Sequence, residues 1–316
     1  MTVRALLDNR LLPALAVALI VIALPWFFPS MYYYRIGALV FIFALAVVGL
    51  NLLMGFAGQV SLGHAGFLGI GAYAVAIGPT HLGMPSWLSL FAGAAVSGLV
   101  AFLVGRPILR LKGHYLAVAT LGFGLLVAIV LTNEAQWTGG PDGMSVPRLV
   151  LFGWSVRGSD TWYWIAGGTC VVGFLLALNL MHSPTGRALQ AVHDSEVAAL
   201  VLGIDVAGKK LAIFTISAMY ASVAGSYLAL FNGHVTPDVA GFLRSIELVA
   251  MVVLGGMGSI VGSLVGAIVL VVLPQALTVF HEYEQALLGL IVMVFMIFLR
   301  RGIVPSLAAL IARPRK

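Results

Sequence analysis

The stretch Ile36–Met54, IGALVFIFALAVVGLNLLM, decides the fold of this chain. Its 19 residues carry no charge, and a helix of roughly 20 apolar residues is long enough to cross a membrane. The whole chain has the same character, because 61% of its 316 residues are hydrophobic and only 9% are charged. An ordinary soluble domain has about 25% charged residues. The composition therefore argues against soluble and disordered proteins and predicts an all-α polytopic membrane protein, with one domain over residues 1–316.

Apolar runs bounded by charged residues, glycine and proline predict ten membrane-spanning segments. The first run could also be a signal peptide, since Arg4 and Arg10 precede it, but no A-x-A-like cleavage site follows, which favours a retained span. The ten segments cover residues 11–29, 36–54, 61–79, 87–105, 114–132, 162–181, 211–231, 244–257, 260–280 and 285–300.

The distribution of lysine and arginine predicts the orientation. If the N-terminus lies in the cytoplasm, 13 of the 17 basic residues fall on the cytoplasmic side, as the positive-inside rule requires. Both termini are then cytoplasmic, residues 133–161 form a long outer loop, and residues 182–210 form a long cytoplasmic loop. The basic residues left on the outer side are Arg35, Arg148, Arg157 and Arg244.

The cytoplasmic loop contains start and stop signals for two short helices. Ser183 is a capping residue, and Pro184 follows it at the first helical position. Asp194 can cap a second helix, and Gly203 can end that helix. The predicted helices cover residues 184–192 and 195–202.

The two predicted helices share a face of small side chains, formed by Ala188, Ala191, Ala198 and Ala199. Such a face suits close insertion into a groove of a partner protein. The alternative is a helix that rests on lipid headgroups, which usually places several Lys or Arg residues above aromatic ones. The segment has one arginine and no Trp or Phe, so docking to a protein is favoured.

Six glycines lie between residues 55 and 71, together with the polar residues Gln59, Ser61 and His64. Irregular backbone at membrane depth persists only where protein or a wet cavity satisfies its polar groups. Two interpretations stay open, namely a broken helix that lines a transport path and tight helix packing through glycine. For His64, a hydrogen-bonded packing role is the favoured alternative to a substrate contact.

A second interruption, Leu254–Ser259, ends the short eighth segment. Glu247 is the acidic residue of that segment, and intramembrane acids are functional candidates by default. Pairing with Arg244 at i, i+3 is the alternative. Segments 2–5 and 7–10 would run in opposite directions, so the two groups are expected to be inverted repeats, each with an interrupted element.

Other features exclude further classes of protein. Gly203–Lys210 resembles a phosphate-binding loop, but Lys210 replaces the hydroxyl residue and no strand precedes it, so no nucleotide site is expected. Lys209 and Lys210 are instead expected to extend to the membrane surface. Cys170 is the single cysteine, so neither an internal disulfide nor a cysteine metal site can form. The net charge of +6 is scattered over loops, which argues against nucleic acid as a partner.

Four blocks of the sequence resemble permeases of bacterial ATP-binding-cassette importers for branched-chain amino acids, in particular the M-type permease. They occur in the expected order and cover most of residues 50–275. The hexapeptide TGGPDG helps to distinguish the M-type subunit from the shorter H-type subunit. The blocks are Asn51–Ala76, Gly113–Gly124 with Thr138–Gly143, Gly186–Ala218 and Ser245–Ala267.

The resemblance implies a multi-pass subunit of the bacterial inner membrane, surrounded by lipid, that moves branched-chain amino acids by alternating access. It also implies a second homologous permease, two cytoplasmic ATPases and a periplasmic binding protein. The ATPases would bind ATP and Mg and hydrolyse the ATP, so this chain is expected to have no catalytic residue, cofactor or metal. Urea or short amides are alternative substrates, and an ion-driven secondary transporter is a less favoured class.

The resemblance also implies that residues 186–203 couple the permease to an ATPase. The candidate coupling residues are Gly186, Arg187, Ala188, Ala191, Asp194, Glu196, Ala198, Ala199 and Gly203. The candidate residues of the translocation path are Asn51, Gln59, Ser61, His64 and Glu247.

Overall fold

The computed structural model describes residues 12–151, 154–277, 289–290, 293–295, 297, 299 and 301–312. Within them the chain is built mainly of helices, which are numbered here in chain order. The helices are α1 Leu12–Ala23, α2 Met31–Ala57, α3 His64–His81, α4 Ser86–Ile108, α5 His114–Asn133, α6 Ala135–Thr138, α7 Ser159–His182, α8 Pro184–Asp194, α9 Glu196–Val201, α10 Val206–Asn232, α11 Phe242–Gly255, α12 Ile260–Leu277 and α13 Ile303–Ala312.

Six of these helices are long and apolar enough to cross a membrane: α2, α4, α5, α7, α10 and α12. They confirm the prediction of a mostly helical polytopic membrane protein. The predicted segments one, three and eight form α1, α3 and α11, which are not among the six. The predicted segment 285–300 lies mostly outside the described residues. The count of ten spans and the cytoplasmic location of the termini therefore stay predictions.

Helix α2 forms the centre of the packed core. Every residue from Phe41 to Met54 is buried, and α7, α10 and α12 pack around the helix. A helix that is apolar on all sides can be covered on all sides, which is why Ile36–Met54 takes this place. Helix α10 lies close to α2 at Gly49, where a Cβ would overlap the side chain of Tyr220.

Short strands that were not predicted lie in the connection between α6 and α7 and in the turn after α10. β1 Met144–Ser145 pairs antiparallel with β4 His234–Val235, and β2 Val150–Leu151 pairs antiparallel with β3 Trp154–Ser155. The β1–β4 pair attaches the loop after α5 to the turn after α10. Strands of two residues show no alternating hydrophobic pattern, so the sequence could not indicate them. Single 3-10 turns cover Leu24–Phe27, Gly140–Asp142 and Pro237–Ala240.

Both interruptions expected from the glycine pattern lie at helix ends. Gly58 ends α2 in the left-handed conformation (φ 66°), and irregular backbone connects it to α3. Residues 256–259 connect α11 to α12, with positive φ at Gly256 and Gly258. A Cβ at Gly55 would overlap the backbone of Gly258, so the end of α2 lies directly against the second interruption.

Candidate coupling site and translocation path

Helix α8 begins as the sequence predicts. The Oγ of Ser183 accepts a hydrogen bond from the amide of Gly186 at 3.3 Å, and Pro184 occupies the first helical position. Gly186 lies so close to the end of α7 that a Cβ would overlap the carbonyl oxygens of Leu180 and Met181. Gly186 therefore sets the angle between α7 and α8.

Helix α9 is capped by Ser195, and the prediction of Asp194 as the cap is wrong. The Oγ of Ser195 accepts a hydrogen bond from the amide of Ala198 at 3.2 Å, while Asp194 is the last residue of α8. A single residue separates the two helices, so only that extended residue can be the cap. Gly203 follows the second helix as predicted, with φ 77° and its amide donating to the carbonyl of Leu200 at 3.0 Å.

The predicted cytoplasmic loop, between α7 and α10, has a small hydrophobic core of its own. Val192 of α8, Ala199 of α9 and Val206 of α10 form it, and Ala191 and Ile204 pack against it. This corrects the predicted alanine face. Ala199 is 1% exposed, so its side chain packs inside the core of the loop and is not available to a partner. Small side chains here let two short helices lie close to the start of α10.

The outward face of α9 carries large aliphatic side chains that were not predicted as contacts. They are between 60% and 83% exposed. Among the predicted alanines, Ala198 is exposed, whereas Ala188 and Ala191 are partly covered. The sequence signal that could have indicated these contacts is the run of three apolar residues, 200–202, at the end of the predicted helix 195–202. The four residues are Val197, Leu200, Val201 and Leu202, and they are called the α9 apolar face below.

Glu196 and Lys210 form an ion pair between α9 and α10. The Nζ of Lys210 lies 2.5 Å from Oε1 of Glu196, and the Lys210 side chain is only 4% exposed. Lys112, in the connection between α4 and α5, lies 3.9 Å from the other carboxylate oxygen of Glu196. The expectation that Lys210 extends to the membrane surface is therefore wrong.

Arg187 and Asp194 are exposed on α8. The Nη1 of Arg187 donates a hydrogen bond to the carbonyl of His182 at 3.3 Å. Arg187 also lines a cavity of about 490 Å³ that lies between α8, the ends of α2 and α7, and the segment Gly258–Val261. The cavity places one face of α8 beside the second interruption.

Asn51 connects α2 to that interruption. Its Nδ2 donates hydrogen bonds to the carbonyl of Ser259 at 2.8 Å and to the Oγ of Ser263 at 2.9 Å. Its Oδ1 accepts a hydrogen bond from the amide of Gly258 at 2.9 Å. The side chain is 1% exposed, so the predicted path residue satisfies backbone groups within the fold.

His64, the first residue of α3, is hydrogen-bonded through both ring nitrogens. Its Nδ1 lies 2.9 Å from the Oγ of Ser61, and its Nε2 lies 2.6 Å from the Oγ of Ser217. The Ser217 hydroxyl donates its proton to the carbonyl of Gly49 at 2.6 Å, so it can only accept from His64. The Nε2 of His64 therefore carries the proton of that hydrogen bond. This geometry fits the packing role that the sequence favoured for His64.

Gln59 and Glu247 complete the candidate path residues. The Nε2 of Gln59 donates a hydrogen bond to the carbonyl of Ala57 at 3.0 Å, within the first interruption. The Oε2 of Glu247 lies 2.6 Å from the Nη1 of Arg244, one helical turn earlier. The guanidinium of Arg244 also lies over the ring of Phe43, with Cζ 5.3 Å from the centroid. The geometry of Glu247 is that of the pairing alternative.

The candidate path residues thus fall into two groups. Asn51, Gln59, Ser61 and His64 are buried near the two interruptions, and each has a hydrogen-bond partner within the chain. Glu247 lies apart from them on α11, half exposed. In this conformation the four buried residues stabilise the interruptions, and their side chains are not exposed to a substrate.

Comparison with known proteins gives the same family as the motifs. Residues 32–299 match the family model of the branched-chain amino acid transport system permease component. The chain is 37% identical over 313 residues to the high-affinity branched-chain amino acid transport system permease protein LivM of Salmonella typhimurium, covering 91% of this chain and 74% of that protein. It is 36% identical over 314 residues to LivM of Escherichia coli K12, covering 92% and 74%.

A second type of permease matches less closely. The corresponding protein LivH of Salmonella typhimurium is 27% identical over 250 residues, covering 72% of this chain and 79% of LivH. No solved structure matches the chain. The higher identity to LivM confirms the resemblance to the M-type subunit. The chain therefore belongs to the family of branched-chain amino acid transport system permease components.

Proposed function

We propose that this chain is the M-type permease subunit of an ATP-driven importer that carries branched-chain amino acids across the bacterial inner membrane. The observation that carries the coupling part of this proposal is the loop between α7 and α10. Its two capped helices have their own core and expose the α9 apolar face. Exposed apolar patches of this kind mark protein or membrane interaction sites. The two helices carry one arginine and no Trp or Phe, which favours contact with a protein over contact with lipid headgroups. The relatives' names, which refer to branched-chain amino acid transport, support the substrate class.

The proposed partners are two cytoplasmic ATPases, a second permease subunit similar to this one, and a periplasmic substrate-binding protein. The α9 apolar face, together with Arg187 and Asp194 on α8, would contact one ATPase. ATP and Mg would be bound, and ATP hydrolysed, by the ATPases. The similarity of the chain to both LivM and LivH supports a pair of related permeases.

The proposed topology has ten spans, cytoplasmic termini and inverted repeats made of spans 2–5 and 7–10. Helix packing supports the repeats. In an inverted repeat α2 corresponds to α10, and α4 corresponds to α12. Helix α2 packs against α10 and α12, while α10 packs against α2 and α4. Helix α3 corresponds to α11, and the contact of α3 with α4 has its counterpart in the contact of α11 with α12.

The outer side offers a place for an acidic partner. A cavity of about 290 Å³ is lined by Arg148 and Arg157, together with Trp162 at the start of α7 and Phe231 at the end of α10. Neither guanidinium forms an ion pair with a described acidic residue. Carboxylates of a periplasmic binding protein would supply the complementary charge, and we propose this cavity as one of its contacts.

Alternating access requires that movement of the ATPases reaches the interrupted helices. Helix α8 adjoins both interruptions, because the His193 ring lies beside Gly58 and the cavity at Arg187 reaches Gly258. A partner shifts a conformational equilibrium only if its contacts differ between the two states. The position of α8 between the docking face and the interruptions supports this route.

Reconstitution tests the proposal. The complex of both permeases and both ATPases, in proteoliposomes with the binding protein, should take up leucine only with ATP, and the isolated chain should hydrolyse none. Arg187→Glu or Asp194→Lys should lower uptake per ATP hydrolysed. Gradient-driven uptake without the ATPases would favour a secondary transporter, and uptake of urea in place of leucine would reassign the substrate.

A further inference from the structure

Lys210 is a buried lysine near the start of helix α10. Its side chain is 4% exposed, and its Nζ lies 2.5 Å from Oε1 of Glu196. A buried ammonium is costly unless a close carboxylate compensates for the lost water.

The two partners depend on the pair unequally. Glu196 is 30% exposed and has a second cation, Lys112, at 3.9 Å. Lys210 has Glu196 as its ion-pair partner among the described residues. Removal of the lysine charge therefore leaves a carboxylate that water and Lys112 can still solvate. Removal of the glutamate charge leaves a buried ammonium without compensation.

The ion pair lies beside the core of the cytoplasmic loop. Val206 belongs to that core, together with Val192 and Ala199, and Lys210 lies one turn further along α10. Apolar contacts are non-directional and allow helices to slide, whereas a charge-assisted hydrogen bond fixes distance and direction. The pair adds to the core a contact that holds α9 in one position on α10.

Helix α10 carries a second polar anchor on the same side. Ser217 follows Lys210 by two helical turns, about 10 Å along the axis. Its hydroxyl donates to the carbonyl of Gly49 in α2 and lies 2.6 Å from the Nε2 of His64 at the start of α3. Helix α10 is thus fixed to α9 at its cytoplasmic end and to α2 and α3 further on.

We infer that Lys210 is a positioning residue that locks α9 to α10, so that the two helices move as one body. Movement imposed on the α9 apolar face is then carried along α10 to Ser217, His64 and the first interruption. The inference rests on the proposed function, because it presumes that an ATPase moves α9.

The test compares Lys210→Met with Lys209→Met in the complete complex with its ATPases and binding protein. Both variants remove one positive charge from neighbouring positions, but only Lys210 has an ion-pair partner among the described residues. Lys210→Met should lower leucine uptake per ATP hydrolysed by about tenfold, the effect of one charge-assisted hydrogen bond. Lys209→Met should leave that ratio unchanged. Lys210→Arg, which keeps the positive charge, should retain most of the native ratio.

A second measurement does not depend on transport. Spin labels at Ala198→Cys, an exposed position on α9, and at Met219→Cys on α10 report the distance between these two helices, with and without ATP. The native complex should show one narrow distance in both states, and Lys210→Met should broaden it. A native distance that changes with ATP would overturn the inference, because α9 would then move relative to α10.

The two proposals fail in different ways. Absence of ATP-dependent leucine uptake by the native complex would contradict the proposed function. Normal coupling by the native complex, together with an unchanged uptake ratio and an unchanged label distance in Lys210→Met, would overturn the role of Lys210 alone.

Discussion

The side chain of Asn51 holds the backbone of Gly258, which lies 207 residues later in the chain, with 2.9 Å between Oδ1 and the amide nitrogen. The same side chain donates to the carbonyl of Ser259 and to the hydroxyl of Ser263. One residue of α2 therefore satisfies several of the polar groups that the interruption between α11 and α12 leaves inside the core. Irregular backbone is stable at membrane depth only with such partners.

Replacement of Asn51 should destabilise the subunit. Asn51→Leu fills a similar volume but leaves the amide of Gly258 and the carbonyl of Ser259 without their partner. We expect a loss of roughly 2–4 kcal/mol, from two buried groups that lose a hydrogen bond, measured as a lower thermal midpoint in detergent. Asn133→Leu, at the exposed end of α5, is the control. Equal midpoints for the two variants would refute the role of Asn51.

The contact of Gly55 with Gly258 should not tolerate a methyl group. A Cβ at Gly55 would overlap the Gly258 backbone and the Asn51 amide, so Gly55→Ala should lower both the thermal midpoint and leucine uptake. Gly122→Ala is the matched control, because a Cβ there meets nothing within 4 Å. Alanine is favoured over glycine in a helix by about 1 kcal/mol, so the control should be at least as stable as the native chain.

Two variants of His64 separate its packing role from a substrate contact. Glutamine retains a donor that can reach Ser217, whereas leucine removes every ring hydrogen bond. His64→Gln should therefore be closer to the native chain than His64→Leu in thermal midpoint. Leucine uptake should follow stability. If His64→Gln were as stable as the native chain but raised the KM for leucine, the substrate-contact interpretation would gain support instead.

A charge on the α9 apolar face should prevent docking. Val201 is 83% exposed, so Val201→Asp should not disturb the fold, but it would place a carboxylate where the ATPase buries an apolar side chain. We expect affinity for the ATPase to fall by at least about tenfold, or 1.4 kcal/mol, in a pull-down or by calorimetry. Leu111→Asp, an exposed leucine in the connection between α4 and α5, should bind normally. Unchanged binding of Val201→Asp would place the ATPase contact elsewhere.

Charge reversal at the outer cavity should weaken contact with the binding protein. Arg148→Glu combined with Arg157→Glu replaces two cations with two anions on the cavity wall, so acidic groups of the partner would be repelled. Affinity for the leucine-loaded binding protein should fall. Added salt should weaken binding by the native chain, where it screens an attraction, and should not weaken binding by the double variant, where it screens a repulsion. The double variant should keep its affinity for the ATPase, which serves as the internal control.

Local signals in the cytoplasmic loop were largely sufficient to predict its helices. Ser183, Pro184 and Gly203 have the predicted roles, because caps and stops act over three or four residues. The wrong cap at Asp194 is also a local error, since either neighbouring residue has a side chain that can cap. The direction in which each alanine side chain points could not be predicted. It depends on how α8 and α9 pack against α10, and no local sequence pattern indicates that packing.

The sequence by itself determined that this is a polytopic helical membrane protein, where its helices are interrupted, and which family it belongs to. These properties depend on apolar run length, glycine and proline positions, and motifs, all of which are read along the chain. Only the tertiary structure decided that Asn51 supports an interruption 207 residues away, that His64 is held by Ser217, and that Lys210 is buried against Glu196. Each of these contacts joins polar groups on different helices or in the connections between them, and such groups find their partners only when those helices pack together.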